Sequence, residues 1–117
     1  AEQNETNGVV ITCSALKRSY RNVIRSYEGH SNIKFYFLFL IAERDEIFNR
    51  VTKRNNHYMK GNMVDSQMQI QELPLRDETD SFIINATGNI QNVSHIIFDT
   101  YKQIIKQEHN LRANSDL

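Results

Sequence analysis

Three features that this sequence of 117 residues lacks limit the classes of protein to which it can belong. Its only cysteine is Cys13, so no intramolecular disulfide can form, and a reducing, cytoplasmic setting is expected. Its longest apolar run, residues 35–42, is far shorter than the ~18 residues that a membrane span requires. None of its four glycines is followed by Lys or lies near another, so there is no Gly-x-x-x-x-Gly-Lys-Ser/Thr loop to cradle phosphates. A disulfide scaffold and a membrane helix are therefore not expected.

The charged residues are balanced in number but not in position. There are 14 Lys and Arg, 14 Asp and Glu, and an apolar content of 39%, as in an ordinary globular domain. Residues 17–60 hold ten of the basic residues and four of the acidic ones, a net charge of +6 that leaves −6 for the remainder. Aromatic residues are not interleaved with the basic ones as in single-strand binders. We expect an anionic ligand, with neither nucleic acid nor membrane as a partner.

An apolar run turns into a basic helix near the start of the sequence. Residues 9–12 favour β-structure and predict a buried strand, with Cys13 as a small core residue and Ser14 at the helix N-cap. Helical spacing then places one apolar arc, expected to face the core, at Leu16, Tyr20, Val23, Ile24 and Tyr27. The neighbouring arc consists of Lys17, Arg18, Arg21 and Arg25. At the carboxyl end of a strand, this arc is either an anion site or a solvated face.

The rest of the sequence alternates between strand and helix patterns. Residues 35–42 predict a second strand, covered on both faces, and residues 81–86 predict a third. Helices are predicted over residues 43–54 and 90–106, the second followed by a polar tail. A polar loop and a weak helix, at about residues 55–72, predict a lid. Strands that alternate with helices favour a single domain built from parallel βαβ units.

Four motifs, in the same order, resemble the gluconokinases, small P-loop kinases that phosphorylate gluconate on its 6-hydroxyl. The first is Cys13-Ser14-Ala15-Leu16-Lys17-Arg18-x-Tyr20-Arg21. The others are Arg50-x-x-x-Arg54-x-x-His57-Tyr58-Met59, then Ser66-Gln67, then Glu72-Leu73-Pro74 followed by Asp77-Glu78. The resemblance covers most of residues 9–80. The sequence departs from the family pattern at Asn22, where Asp is usual, and at Asn56, where Gly is usual.

The resemblance implies part of a P-loop kinase-type parallel α/β sheet, with three strands, flanking helices and a lid, but without the central P-loop strand. It implies the carboxyl-terminal portion of a gluconokinase. The phosphate loop and the acidic residue that orients or deprotonates the sugar hydroxyl would lie in the missing amino-terminal half. The complete enzyme would use ATP and Mg²⁺ to convert D-gluconate to 6-phospho-D-gluconate. A homodimer, or pairing with that missing half, is a possible assembly.

The resemblance also implies roles for individual residues. By this resemblance, the substrate-binding residues would be Ser14, Ala15, Lys17, Arg21, His57 and Gln67. The nucleotide-binding residues would be Arg50 and Arg54. Lys17 and Arg21 would be the substrate-side cations, whereas Arg18 and Arg25 should matter much less. His57 would close from the lid, the alternative being a solvated loop histidine. The four histidines lack ligand spacing, so no metal site is expected in this part.

Three alternatives to this reading stay open at the level of sequence. One is a non-catalytic interaction module derived from a kinase, which binds an intact subunit. Another is a different small-molecule P-loop kinase of the same build. The third is an anion-binding or nucleic-acid-binding domain that uses the basic segment.

The missing phosphate loop generates a direct prediction. Phosphoryl transfer depends almost entirely on positioning and charge stabilisation, so the isolated 117-residue chain should not turn over ATP and gluconate. Incubation with ATP, magnesium and gluconate, followed by an assay for 6-phosphogluconate, measures this. Sustained turnover by pure protein would show that the expectation is wrong.

Overall fold

The computed structural model describes residues 8–30, 32–55 and 61–115. Within these ranges the elements are α1 (Arg18–Arg25), a 3₁₀ helix (Ser26–His30), β1 (Phe37–Ile41), α2 (Arg44–Asn55), α3 (Gly61–Ile70), β2 (Ser81–Asn85) and α4 (Ile90–Ser115). The predicted alternation of strands and helices is confirmed, but the described residues form two strands rather than three. No helix in the described ranges has the length and apolar character that crossing a bilayer requires.

The two strands form a parallel sheet, as the sequence predicted. Phe37 pairs with Ser81 at one end, and Ile41 pairs with Asn85 at the other. The carboxyl ends of both strands therefore lie at the same edge of the sheet. Ala86 extends this edge by donating its N–H to the carbonyl of Ile41 at 2.6 Å. In open α/β sheets this is the edge where ligands bind.

The sheet is only partly covered. Helix α4 packs on β2, where Ile84 and Ile104 are buried, whereas Leu40 and Ile83 remain 50% and 46% exposed. The prediction of a strand covered on both faces is therefore wrong for β1. A helix of 26 residues is about 39 Å long, more than twice the span of a five-residue strand, so α4 overhangs the sheet.

Helix α4 also extends beyond its predicted end. The prediction placed a polar tail after residue 106, but the helix continues to Ser115. The hydroxyl of Tyr36, just before β1, donates to the carboxylate of Glu108 and ties this extension to the sheet. Tyr36 is partly buried, and burial together with this hydrogen bond raises the pKa of its phenol to about 12. A tertiary contact therefore supports a polar helical end that periodicity did not predict.

The predicted first strand is not formed. Residues 9–12 have no regular secondary structure, and Val9, Val10 and Ile11 are 80%, 83% and 74% exposed. Cys13 is exposed rather than buried. A β-favouring sequence becomes a strand only when a neighbour supplies the hydrogen-bonding partners, and no described strand lies beside this one.

Candidate functional site

The orientation of α1 differs from the predicted one. Arg21 is fully buried at 0% exposure, whereas Tyr20, Val23 and Tyr27 on the predicted core arc are 45%, 61% and 61% exposed. A buried arginine is tolerated when it is paired with a carboxylate and all of its donors are satisfied. Arg21 and Arg25 of the basic arc therefore face inward, because their partners are supplied from elsewhere in the chain.

Arg21 uses all five of its N–H donors within the chain. Its Nε and Nη2 donate to the two carboxylate oxygens of Glu78, at 2.7 and 2.8 Å. Its Nη1 donates to the carbonyls of Ala15 and Leu16, at 2.9 and 3.4 Å, and Nη2 donates to the carbonyl of Glu72 at 2.9 Å. In this conformation Arg21, predicted to bind substrate, has no donor left for a ligand.

Arg25, one turn later, completes a buried ion-pair network. Its Nε and Nη2 bind both carboxylate oxygens of Asp80, at 2.7 and 2.8 Å, and Nη2 also donates to Glu78 at 2.5 Å. Its Nη1 donates to the side-chain oxygen of Asn22 at 2.8 Å. Asn22 thus supplies an acceptor without the charge of the aspartate usual in gluconokinases. Arg25 therefore contributes to the fold, whereas its predicted small effect on catalysis stays a prediction.

The network sets the charge states of its carboxylates. Hydrogen bonds from Arg21, and secondarily from Arg25, lower the pKa of Glu78 to about 2 despite its burial. Burial acts to raise the pKa of Asp80, but the hydrogen bonds and charge of Arg25 prevail and the pKa lies below its ordinary value. The hydrogen bonds to Asp80 raise the pKa of Arg25 against the effect of burial. Glu78, Asp80 and Arg25 are therefore ionised at neutral pH.

Four acidic residues hold α1, and together they are called the acidic clasp here. The acidic clasp consists of Glu72, Asp77, Glu78 and Asp80. Asp77 pairs with Arg18 through two contacts, at 3.1 and 2.5 Å, on the exposed side of the helix. The hydrogen bond from Arg18 lowers the pKa of Asp77. Two of the motifs that resemble gluconokinases, more than 50 residues apart, therefore bind each other.

Stacking on β1 fixes the direction of α1. The guanidinium of Arg21 lies over the ring of Phe39 at 5.3 Å, and that of Arg25 lies over Phe37 at 4.9 Å. Since the later arginine meets the earlier phenylalanine, α1 runs antiparallel to β1. The residues that precede Arg21 on the helix, Lys17 included, consequently lie toward the carboxyl edge of the sheet.

Lys17 occupies the N-cap of α1, where the prediction placed Ser14. It is extended, with φ −103° and ψ 149°, and no side chain caps the helix from this position. Lysine is a poor residue here, because the positive end of the helix dipole repels its ammonium group. The Lys17 ammonium group forms no ion pair or hydrogen bond with any described residue. Of the two predicted substrate-side cations, Lys17 is the one available to an anion.

Arg50 lies at the same edge, on α2. Its Nη2 donates to the carbonyls of Ala86 and Gly88, at 2.8 and 2.9 Å, and to Glu46 at 2.5 Å. Glu46 in turn accepts the N–H of Gly88 at 3.2 Å, and Gly88 has a φ of 108° that suits only glycine. Among the described residues, the Nε and Nη1 groups of Arg50 make no hydrogen bond. Arg50 is therefore oriented through one nitrogen.

The remaining predicted site residues are only partly placed. Ser14 is exposed, and Ala15 is half-buried beside Arg21. Gln67 is half-buried on α3. Five residues later, the N–H of Glu72 donates to the carbonyl of Leu16. Arg54 belongs to α2, one turn after Arg50. His57 and Asn56 lie outside the described residues, as does part of the proposed lid.

The partners that sequence reasoning missed are the acidic ones. Glu72, Asp77 and Glu78 were visible as a motif, but their contacts with α1 span 51 to 59 residues and leave no local periodicity. A weaker signal was available, because the flanking segments carry a net charge of −6, opposite in sign to the +6 of residues 17–60. No cluster of three metal-ligating side chains occurs in the described part of the chain.

The described residues define the fold class as α/β, with a two-stranded parallel sheet and with Arg50 held at its carboxyl edge. No family model matches the sequence. The chain is 38% identical over 106 residues to a probable gluconokinase of Schizosaccharomyces pombe, covering 91% of this chain and 55% of that protein. A probable gluconokinase of Saccharomyces cerevisiae is 41% identical, with 64% and 38% covered. The thermoresistant gluconokinase of Escherichia coli is 35% identical, with 75% and 49% covered.

The fold comparison agrees with the sequence comparison. A gluconokinase crystal structure from Sinorhizobium meliloti matches with a TM-score of 0.55 and 24% identity, over 78% of this chain and 54% of that one. The predicted resemblance to gluconokinases is therefore confirmed. The chain spans about half the length of the curated relatives it matches. This span is consistent with the predicted carboxyl-terminal portion.

The acidic clasp generates a prediction about acid stability. The pKa of Glu78 is lowered on folding, so its stabilising effect is complete above its unfolded pKa of about 4.5 and is lost as the pH falls toward 2. Glu78→Gln should lower the free energy of unfolding by about 3–5 kcal/mol at pH 7, because it breaks a buried pair. It should also flatten the fall between pH 5 and 2.

Asp77→Asn is the matched control, since it breaks an exposed pair on the same helix and should cost less than ~1 kcal/mol. Urea unfolding at a series of pH values measures both variants. An acid slope in Glu78→Gln equal to that of the wild type would contradict the assignment.

Proposed function

We propose that this chain acts as part of a gluconokinase. The reaction would break the bond between the γ-phosphorus of ATP and the oxygen that bridges it to the β-phosphorus. It would form a bond from the γ-phosphorus to the 6-oxygen of D-gluconate and release the proton of that hydroxyl, giving 6-phospho-D-gluconate and ADP. The observation that carries the proposal is Lys17, a cation that has no partner among the described residues and lies at a helix N-terminus, toward the carboxyl edge of a parallel sheet. The names and identities of the relatives support the same reaction.

Lys17 would bind the carboxylate or hydroxyl groups of gluconate. The first-turn N–H of Ser19 has no partner among the described residues and would add a second donor at the same helix end. The backbone of Ser14 and Ala15 would line this pocket, and His57 and Gln67 would approach from the lid at about residues 55–72. Arg21 would act indirectly, by anchoring α1 beneath the pocket.

Arg50 would bind nucleotide phosphates. Its Nη2 is held by Glu46 and the loop after β2, which leaves Nε and Nη1, on different edges of the guanidinium, each for a separate charge-assisted contact. Arg54 would lie beside it, one helical turn further along α2. These two arginines would stabilise negative charge on the transferring group.

The residues of this chain fit the anionic parts of ATP and gluconate, but not the whole reaction. The 117 residues contain no phosphate loop, and the described residues contain no ligand cluster for Mg²⁺. Mg²⁺ supplies charge neutralisation on the phosphates when it is bound. The contribution of this chain would be the substrate-side cation and the phosphate clamp, and by itself it would be catalytically incomplete.

The proposal is tested by comparing two adjacent cations. Lys17→Ala should weaken gluconate binding by about tenfold or more, because a charge-assisted hydrogen bond contributes ~1.5–3 kcal/mol. Arg18→Ala removes the same charge one residue away, but Arg18 is already paired with Asp77, so the affinity should change less than about twofold. The gluconate affinity of both variants is measured by titrating the isolated chain with gluconate and recording the chemical-shift changes of its amide NMR signals.

Equal effects in the two variants would indicate general electrostatic attraction and contradict the assignment of Lys17. The proposed function itself would be contradicted if the amide NMR signals of the wild-type chain did not shift at gluconate concentrations well above the KM of the intact enzyme.

A further inference from the structure

We propose that Glu72 is a positioning residue that fixes Lys17 in the binding orientation, an inference that rests on the proposed substrate role of Lys17. The N–H of Glu72 donates to the carbonyl of Leu16 at 2.6 Å, and its Oε1 accepts the N–H of Arg18 at 2.9 Å. One residue thus binds the backbone immediately before and immediately after Lys17. Its carbonyl also accepts a hydrogen bond from Arg21 at 2.9 Å.

These contacts replace a cap that the helix does not have. The N-cap side chain makes no capping bond, and the first turn of α1 contains no acidic residue. Serine or aspartate at position 17 would cap the helix locally and stabilise it by ~0.5–2 kcal/mol. Here the cap comes from a carboxylate 54 residues away, which also offsets the positive end of the helix dipole. Position 17 can therefore carry a lysine, whose side chain cannot cap the helix.

The two flanking bonds restrain the backbone dihedral angles of Lys17 and hence the direction of its Cα–Cβ bond. A lysine side chain has several rotatable bonds, so a fixed starting direction reduces the conformational entropy lost on binding an anion. Glu72 does not need to touch the substrate to have this effect. Its removal should therefore reduce affinity only while Lys17 is present.

Hydrogen exchange in the isolated 117-residue chain tests the positioning. Glu72→Ala should speed exchange of the Arg18 amide by about tenfold or more and lower the ¹⁵N order parameter of Lys17. Glu72→Gln keeps an oxygen acceptor at the same place and should restore both values. Asp77→Ala is the matched control, since Asp77 binds the side chain of Arg18 but not the backbone around Lys17. Exchange within twofold of wild type in Glu72→Ala, or equal effects of Asp77→Ala, would overturn the proposal.

Gluconate titration separates the positioning from the proposed function. Glu72→Ala should weaken binding about tenfold in the wild-type background and not further in Lys17→Ala. Equal weakening in both backgrounds would overturn the proposal, because Glu72 would then act independently of Lys17. Loss of Arg18 amide protection with unchanged gluconate affinity would support the positioning but contradict the substrate role of Lys17.

Discussion

The placement of α1 depends on the buried pair between Arg21 and Glu78. The guanidinium is at 0% exposure, both oxygens of Glu78 are engaged, and the ring of Phe39 lies against the cation. An ion pair of this kind adds little stability relative to an apolar pair of the same shape, but loss of one partner leaves an uncompensated buried charge. We interpret it mainly as a specificity device, because the observed placement of α1 satisfies all five donors of Arg21.

The basic residues of α1 and its N-cap have two different roles. Arg18, Arg21 and Arg25 are engaged by the acidic clasp and determine where α1 lies and which way it points. Lys17 is left without a partner in the described part of the chain, at a helix end that repels its charge. A residue that breaks a local rule, with the compensation supplied from elsewhere in the chain, is typical of a functional position. The ion pairs that place α1 therefore also determine where Lys17 lies in the proposed site.

Sequence reasoning predicted the elements that local periodicity determines. Both strands of the sheet, their parallel pairing, α2 and α3 follow from apolar runs and helical spacing. The orientation of α1 does not, because a hydrophobic pattern treats every arginine as solvated, and Arg21 is inside only through a partner 57 residues away. Residues 9–12 fail for a related reason, since β-propensity becomes a strand only beside a second strand. The acidic motif was visible, but the resemblance assigned it no contact.

A double-mutant cycle on Arg21 and Glu78 tests the central claim most directly. Free energies of unfolding would be measured for the wild type, Arg21→Met, Glu78→Leu and the double variant. Our account predicts a coupling of about 2–3 kcal/mol, with the double variant more stable than either single variant, because no unpaired charge is then left buried. Additive effects, with coupling below ~0.5 kcal/mol, would contradict the claim that this pair holds the helix in place.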